Sequence, residues 1–390
     1  MNLRPPRPES AIGGSPGVPL TTFSELPLLP TLRTSLAEQS FKRPTEIQAR
    51  TLPPLLDGRS LVGVSETGSG KTLAYVLPLL HQLKSLELGG SAVSTPGSPR
   101  GLVLVPAREL GEQVSKVFKT LTHGTRLRVR TALGGTKKQV ARQSVSGKFE
   151  VLVATPGRLK QLLEEGGLKL DDVRMLVFDE ADSLLDKGFL PVAQGILETC
   201  PNSVQLVMFS ATLPASLENA VSSLFTSPPV RVQTEGSERI VRTLKTENRR
   251  VANRAERFEV LCAVLAEAPT ESTMLFVNSR EQCETLGHWL DDQGIAYVDY
   301  RGEMDRGERR KNLARFRNGE VTVLLTTDLG SRGLDIERVG RIINVHMPQH
   351  MANYLHRVGR TARAGRYGLV VNLVTPRDAP LMDKLERKSR

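Results

Sequence analysis

Two short runs in this chain hold residues whose types and spacing suit phosphoryl chemistry. The first is Ser65-Glu66-Thr67-Gly68-Ser69-Gly70-Lys71-Thr72, which follows the apolar Val62-Gly63-Val64 and precedes the helix-like Leu73-Ala74-Tyr75-Val76-Leu77. Strand, glycine loop, helix is the layout of a phosphate-binding loop. Glycines let backbone N–H groups turn inward around phosphate oxygens, and the helix start adds its positive dipole end. Thr67, Gly68, Ser69 and Gly70 would surround the phosphates. Lys71 would reach the β and γ phosphates, and Thr72 would offer its hydroxyl to Mg²⁺. The place of the pattern's first glycine is taken by Ser65. The second run, Met175 to Asp182, is an apolar strand that delivers Asp179, Glu180 and Asp182 at its carboxyl end. Asp179 is placed to hold Mg²⁺, and Glu180 to orient or deprotonate an attacking water. Either run alone also reads as ordinary architecture: a strand-turn-helix connection, or a helix N-cap with an acidic first turn. Together they point to nucleotide hydrolysis.

Such groups need strands that end beside one another. Apolar runs recur at Leu102–Val105, Val151–Ala154, Met175–Phe178 and Leu206–Phe209, with helical segments between them. Runs apolar on both faces that alternate with helices predict a parallel sheet covered on both sides, with ligands at the carboxyl ends of its strands. Upstream, Thr21 to Ser40 reads as helical and Pro44 starts a second helix, while Leu88 to Arg100 reads as an exposed surface loop. Thr226 to Val251 carries Pro228-Pro229 and many charges, and reads as a linker plus the entry into a second domain. Strands then return at Thr273–Val277, Ala296–Tyr300, Val321–Thr326, Arg341–Val345 and Leu369–Val374. The second half has no glycine-lysine loop of its own. The expectation is therefore an α/β chain of two similar domains with one nucleotide site between them.

At 390 residues the chain has room for two domains, and 39% hydrophobic with 24% charged residues suits a globular protein. No apolar run approaches the ~20 residues needed to cross a bilayer. The proline- and glycine-rich first 19 residues lack the core of a secretion signal and read as a disordered tail. Cys200, Cys262 and Cys283 have neither even count nor C-x-x-C spacing, which argues against a disulfide framework or a zinc site. The net charge of +11, from 53 basic and 42 acidic residues, fits a polyanionic partner. Aromatic content of 4% disfavours base-by-base stacking and suits contact with a sugar-phosphate backbone.

Asp179-Glu180-Ala181-Asp182 and the runs around it resemble the DEAD-box RNA helicases of helicase superfamily two, from about Phe23 to Val374. The resemblance rests on Ser65–Thr72, on Pro106–Leu110 (PAREL), on Gly134-Gly135 and on Thr155–Arg158 (TPGR). It continues through Ser210–Thr212 (SAT), Phe276–Arg280 (FVNSR), Thr326–Asp335 (TTDLGSRGLD) and His356–Arg366 (HRVGRTARAGR). It implies two RecA-like domains, each a parallel sheet flanked by helices, joined by a short linker. Their expected bounds are 21–233 and 234–380, between a disordered segment, 1–20, and a short basic tail, 381–390. It also implies ATP with Mg²⁺, and a sequence-tolerant grip on RNA, either single strand or short duplex. The activity implied is unwinding or remodelling of short duplexes or RNA–protein complexes; an ATP-gated RNA clamp or assembly factor shares the same motifs.

The resemblance assigns further roles. Phe41, Arg43 and Gln48 would recognise adenine, with Phe23 behind, and Asp335 would bind the ribose hydroxyls. Arg360 and Arg363 would be arginine fingers on the γ-phosphate, with His356 beside them. Asp182, Ser210 and Thr212 would couple nucleotide state to domain closure. Pro106, Arg108, Gly135, Thr155, Gly157 and Arg158 would face RNA in the first domain, and Arg280, Arg301, Gly302 and Thr327 in the second. Departures are Ser40 and Ala362 where the family usually has Gly, Glu66 for Gln, Ala107 for Thr and Arg306 for Gln. A cytoplasmic monomer without membrane attachment is expected, acting on ribosomal or other RNA–protein assembly intermediates; a mitochondrial or nucleolar setting is the alternative.

Overall fold

The chain arranges its apolar runs side by side, in two sheets. The computed structural model describes residues 20–90, 94–135, 137–185, 189–213, 215–234, 243–331, 336, 339–362 and 366–389. In the first sheet β1 (Leu61–Val64), β2 (Gly101–Leu104), β3 (Val129–Ala132), β4 (Val151–Ala154), β5 (Met175–Asp179), β6 (Gln205–Ser210) and β7 (Val230–Gln233) lie in the order β3-β4-β2-β5-β6-β1-β7. In the second, β8 (Leu244–Arg250), β9 (Thr273–Val277), β10 (Tyr297–Tyr300), β11 (Val323–Thr327), β12 (Arg341–Asn344) and β13 (Gly368–Val374) lie in the order β10-β11-β9-β12-β13-β8. Every pairing is parallel.

Parallel pairing requires crossovers, and the crossover helices cover both faces of each sheet. On the first sheet Val103, Val153, Val177 and Phe209 pack to one side and Leu102, Leu152, Leu176 and Met208 to the other. The second repeats this with Met274, Ile342 and Val370 against Leu275, Ile343 and Val371. These are the two RecA-like units that the sequence leads one to expect.

Three local readings change. Thr21 to Ser40 is not one helix: a 3₁₀ turn at Phe23–Glu25 precedes a helix at Pro30–Glu38. The proline fixes the first helical turn, and Ser40 leaves the helix at φ 59°. Leu88 to Arg100 is exposed only in part, since Ser94, Ser98 and Arg100 are buried. Its end packs at the amino side of the first sheet, where Ser94 donates to Glu150 and the N–H groups of Arg100 and Gly101 donate to the Glu150 carbonyl. Thr226 to Val251 contains two strands that the linker reading did not include: β7 pairs with β1, and β8 pairs with β13 as an edge strand, while residues 235–242 between them lie outside the described residues. An edge strand buries little, so its charged residues hid it. The strand-poor run Val129–Ala132 is likewise an edge strand, β3.

Candidate active site in the cleft

The carboxyl ends of β1 and β5 carry the two chemical runs. Gly68 and Gly70 turn the loop after β1 with φ of 83° and 91°. At Gly70 the positive φ favours glycine, and a Cβ would meet Gln48 Nε2 at 2.4 Å and push that amide aside. The helix Lys71–Leu88 starts at the end of this loop, and Lys71 Nζ donates to the carbonyls of Ser65 and Glu66 at 2.6 and 2.7 Å. Burial lowers the Lys71 pKa, against the opposing pull of Asp179, Asp182, Glu180 and Glu66. Thr67 and Thr72 are half-buried at this end. Gln48 is buried, and its amide links two segments: Nε2 donates to the Gly70 carbonyl at 3.0 Å, and Oε1 accepts from the Thr45 N–H at 2.9 Å. One amide hydrogen and one lone pair stay open for an adenine edge. Phe41 is 44% exposed and so is not a core residue, whereas Phe23 is buried. Arg43 is exposed.

Asp179 ends β5, accepting from Tyr75 Oη at 2.8 Å and from the Glu180 N–H at 2.9 Å. Burial first, and then the Glu180 charge, push its carboxyl up to about 6. Glu180 sits in the left-handed region at φ 50° and ψ 52°, as N-cap of the short helix Ala181–Leu184. Its Oε2 is buried with no hydrogen-bond partner. A left-handed backbone and an unsatisfied buried carboxylate oxygen each cost folding free energy, so folding alone does not account for the arrangement at Glu180. Asp182 accepts from Thr212 Oγ1 at 2.9 Å and from the Thr212 N–H at 3.2 Å, while its own N–H donates to Ser210 Oγ.

The second sheet closes over this end. His356, on the helix Met351–Val358, bonds through Nε2 to Asp182 Oδ2 at 3.0 Å. Burial would raise the Asp182 carboxyl, but the His356 charge and the His356, Thr212 and Ser210 hydrogen bonds outweigh it and hold the carboxyl far below its usual range. Burial likewise opposes the imidazolium, and Asp182 overcomes it, so the His356 pKa is raised. Three residues on, a Cβ at Gly359 would stand 2.2 Å from Thr67 Oγ1, so the two units meet backbone to side chain at the phosphate loop. Arg360 is buried next to this contact, with Nε donating to the His356 carbonyl at 3.3 Å. Asp335 and Arg363 lie outside the described residues.

Residues 45–220 match the model of the DEAD/DEAH box helicases and residues 256–365 that of the helicase conserved C-terminal domain. The chain is 37% identical over 368 residues to the ATP-dependent RNA helicase SrmB of Escherichia coli, covering 94% of this chain and 82% of that protein. The chain belongs to the DEAD-box family of ATP-dependent RNA helicases. Its fold matches Saccharomyces cerevisiae Dbp5 bound to RNA and ADP BeF3, with TM-score 0.82, 26% identity, and cover of 95% of this chain and 93% of that one. A Dbp5 variant bound to Gle1 and IP6 matches with the same identity and cover but a TM-score of 0.70.

In this DEAD-box chain the residues expected to face RNA fall into two groups. At the ends of β2, β3 and β4, Arg108 Nη1 donates to the Gly134 carbonyl at 2.9 Å and the Gly134 N–H donates to Thr155 Oγ1 at 3.1 Å. Gly135 follows at φ 74°, Pro106 adjoins Arg108, Gly157 is exposed, and Arg158 bonds Gln161 at 2.6 Å. In the second unit Arg280 and Arg301 share Glu284, at 2.7 and 3.5 Å, Arg309 donates to the Gly302 carbonyl, and Thr327 Oγ1 accepts from the Gly330 N–H. Arg309 also pairs across the cleft with Glu109 and lies over the Tyr300 ring.

Two contributors escape sequence reading. Tyr75 had a usable signal: it stands four residues after Lys71, on the same helical face. Glu109 had none, because its partner is 200 residues away. Of the departures, Ala107 is an N-cap without a side-chain bond, where threonine would supply one. Ser40 and Ala362 hold φ of 59° and 54°, which explains the usual glycine and leaves this chain with local strain.

Proposed function

We propose that this helicase hydrolyses ATP in the cleft between its two sheets, and that closure of the cleft is the step that RNA promotes. The observation that carries this reading is the His356–Asp182 bond, which ties the helix leading to Arg360 directly to the acidic run. ATP would lie on the loop Thr67–Gly70, with its phosphates displacing the Ser65 and Glu66 carbonyls from Lys71. Thr72 and Asp179 are the residues that would hold Mg²⁺, which would neutralise charge between the β and γ phosphates. The fit is chemical: a buried carboxyl raised to about 6 beside a second carboxylate favours a bound cation. Glu180 would take the proton of the attacking water, its free Oε2 being the acceptor. Arg360, with Arg363, would stabilise charge on the transferring phosphoryl group. Phe41, Arg43 and Gln48 would hold adenine, and Asp335 the ribose.

RNA would lie across the ends of both sheets, over Arg108, Gly135, Thr155 and Arg158 on one side and Arg280, Arg301, Gly302 and Thr327 on the other. Backbone groups and arginines read phosphates rather than bases, so binding would be sequence-tolerant. The closed form would hold one strand bent and expel its partner. The substrates we assign are short duplexes and assembling RNA–protein particles, handled by a monomer in the cytoplasm. The test is strand displacement from a short RNA duplex measured beside ATPase. Displacement that requires hydrolysable ATP supports the reading. RNA-stimulated hydrolysis without displacement of any duplex would replace unwinding by clamping.

A further inference from the structure

Asparagine is a poor strand residue, yet three stand in one row across the second sheet. Asn344 of β12 is in register with Asn372 of β13, which is in register with Asn248 of β8. Their amides form a chain: Asn344 Nδ2 donates to Asn372 Oδ1 at 2.8 Å, and Asn372 Nδ2 donates to Asn248 Oδ1 at 2.8 Å. Asn344 and Asn372 are wholly buried, where an amide is costly unless each of its groups is met.

The row ends on the helix Met351–Val358, and does so twice. Tyr354 Oη accepts from Asn372 at 3.2 Å, and Arg357 Nη1 donates to Asn344 Oδ1 at 3.1 Å. Both of these helix residues are fully buried. Arg357 is held further by Asp328 at 2.5 and 2.8 Å, by Asn278 at 2.6 Å and by the His346 carbonyl at 2.7 Å. The same helix carries His356, next to Arg357, and runs on to Gly359 and Arg360. Besides these bonds and the Arg357 guanidinium over the Phe276 ring, the helix shares an apolar cluster with the sheet, Tyr354 and Val358 beside Phe276, Ile342 and Val370. Apolar contact is non-directional and tolerates small slides of a helix along a sheet. Two hydrogen bonds to adjacent rungs of a ladder admit one register only.

We propose that the ladder Asn248–Asn372–Asn344 is a register lock: it sets the helix Met351–Val358 on the sheet so that His356 meets Asp182 and Arg360 enters the cleft. The asparagines are then positioning residues for closure, and the inference rests on the closure reading given above. The orientation of the Asn344 amide is part of the device. Asn372 accepts from its nitrogen, which leaves its oxygen toward the Arg357 guanidinium.

Asn344→Leu/Asn372→Leu tests this in the full chain. It removes two facing amides together and leaves Arg357 Nη1 its bond to the His346 carbonyl; the buried Tyr354 hydroxyl loses its Asn372 donor, and the exposed edge residue Asn248 finds water. The KM for ATP should stay close to wild type, and the melting temperature should fall only by what the one orphaned Tyr354 hydroxyl costs. The RNA-stimulated kcat should fall on the order of ten- to a hundredfold, the scale of a misplacement near 1 Å. Adding His356→Asn to the double variant should cost much less than adding it to wild type, because the contact is already lost. If the leucine pair does not fold, Asn372→Ser, which keeps a donor and an acceptor at shorter reach, carries the same measurement. A kcat within about twofold of wild type in a folded variant overturns the lock. So does a loss to which His356→Asn adds in full, since that is damage unrelated to the contact. Wild-type kcat in His356→Asn alone removes the closure reading and the lock with it; wild-type kcat only in the ladder variants removes the lock alone.

Discussion

Gly359→Ala should hold the cleft open with the smallest possible change. The new methyl carbon would stand 2.2 Å from Thr67 Oγ1, 3.1 Å from the Leu355 carbonyl and 3.4 Å from Thr67 Cβ. The last two are tight but bearable. The first is about 1 Å inside van der Waals contact, so either Thr67 or the whole second unit must move. Thr67 belongs to the phosphate loop; where its side chain keeps its rotamer, either response displaces that loop relative to the second unit by roughly that distance. Misplacement on this scale costs about 10²-fold in rate, or about 2.7 kcal/mol of closure. The assay is RNA-stimulated ATPase beside nucleotide binding without RNA. The kcat should drop on that scale, while binding to the open form should not change. Thr67→Ala in the same chain removes the clashing oxygen, leaves 3.4 Å as the nearest approach to that side chain, and should restore most of the loss relative to Thr67→Ala alone. A Gly359→Ala protein with wild-type kcat would show that hydrolysis does not need this contact, and the closed cleft could not then be the reacting state.

Glu180→Gln should keep nucleotide binding and lose hydrolysis, so that complexes with ATP and RNA accumulate; turnover near wild type would clear Glu180 of its role. Asp179 is protonated below about 6 and ionised above it, so Mg²⁺-dependent nucleotide binding should strengthen as pH rises through that value, measured by titration at fixed salt. Tyr75→Phe removes a bond that favours the carboxylate and should move this limb to higher pH; an unmoved limb would mean that Tyr75 leaves the carboxylate unaffected. Asp182 raises the His356 pKa above its ordinary value, so RNA-stimulated kcat should fall as pH rises through that raised pKa, and His356→Asn should abolish that limb. RNA affinity should fall steeply with salt and vary little with base sequence; a thousandfold preference for one sequence at fixed salt would refute backbone recognition.

Much of this site is legible in the sequence because each run is local. The phosphate loop needs consecutive residues, and Asp179 and Glu180 follow a strand whose apolar pattern is continuous. What stays hidden is relational. Gln48 reads as an adenine contact, and only the fold shows that its amide also braces Gly70. Glu109 and Arg309 meet across the cleft with no spacing to announce them. β3, β7 and β8 are edge strands of the two sheets, where half-exposed backbone tolerates charge and blurs the apolar signal. Ser40 and Ala362 read as mild substitutions; their positive φ shows that each occupies a place shaped for glycine.

The order of strands in the first sheet also bears on how the protein is made. β1 emerges first, but it lies between β6 and β7, with Leu61 beside Val207 and Val230. A ribosome must therefore synthesise nearly all of that unit before the strand beneath the phosphate loop has either neighbour. Closing so long a segment is entropically slow, and parallel pairing gives it no local shortcut. Nascent chains should consequently bind no nucleotide until β7 has cleared the exit tunnel, so that the ATP site matures as the last act of folding of its own domain.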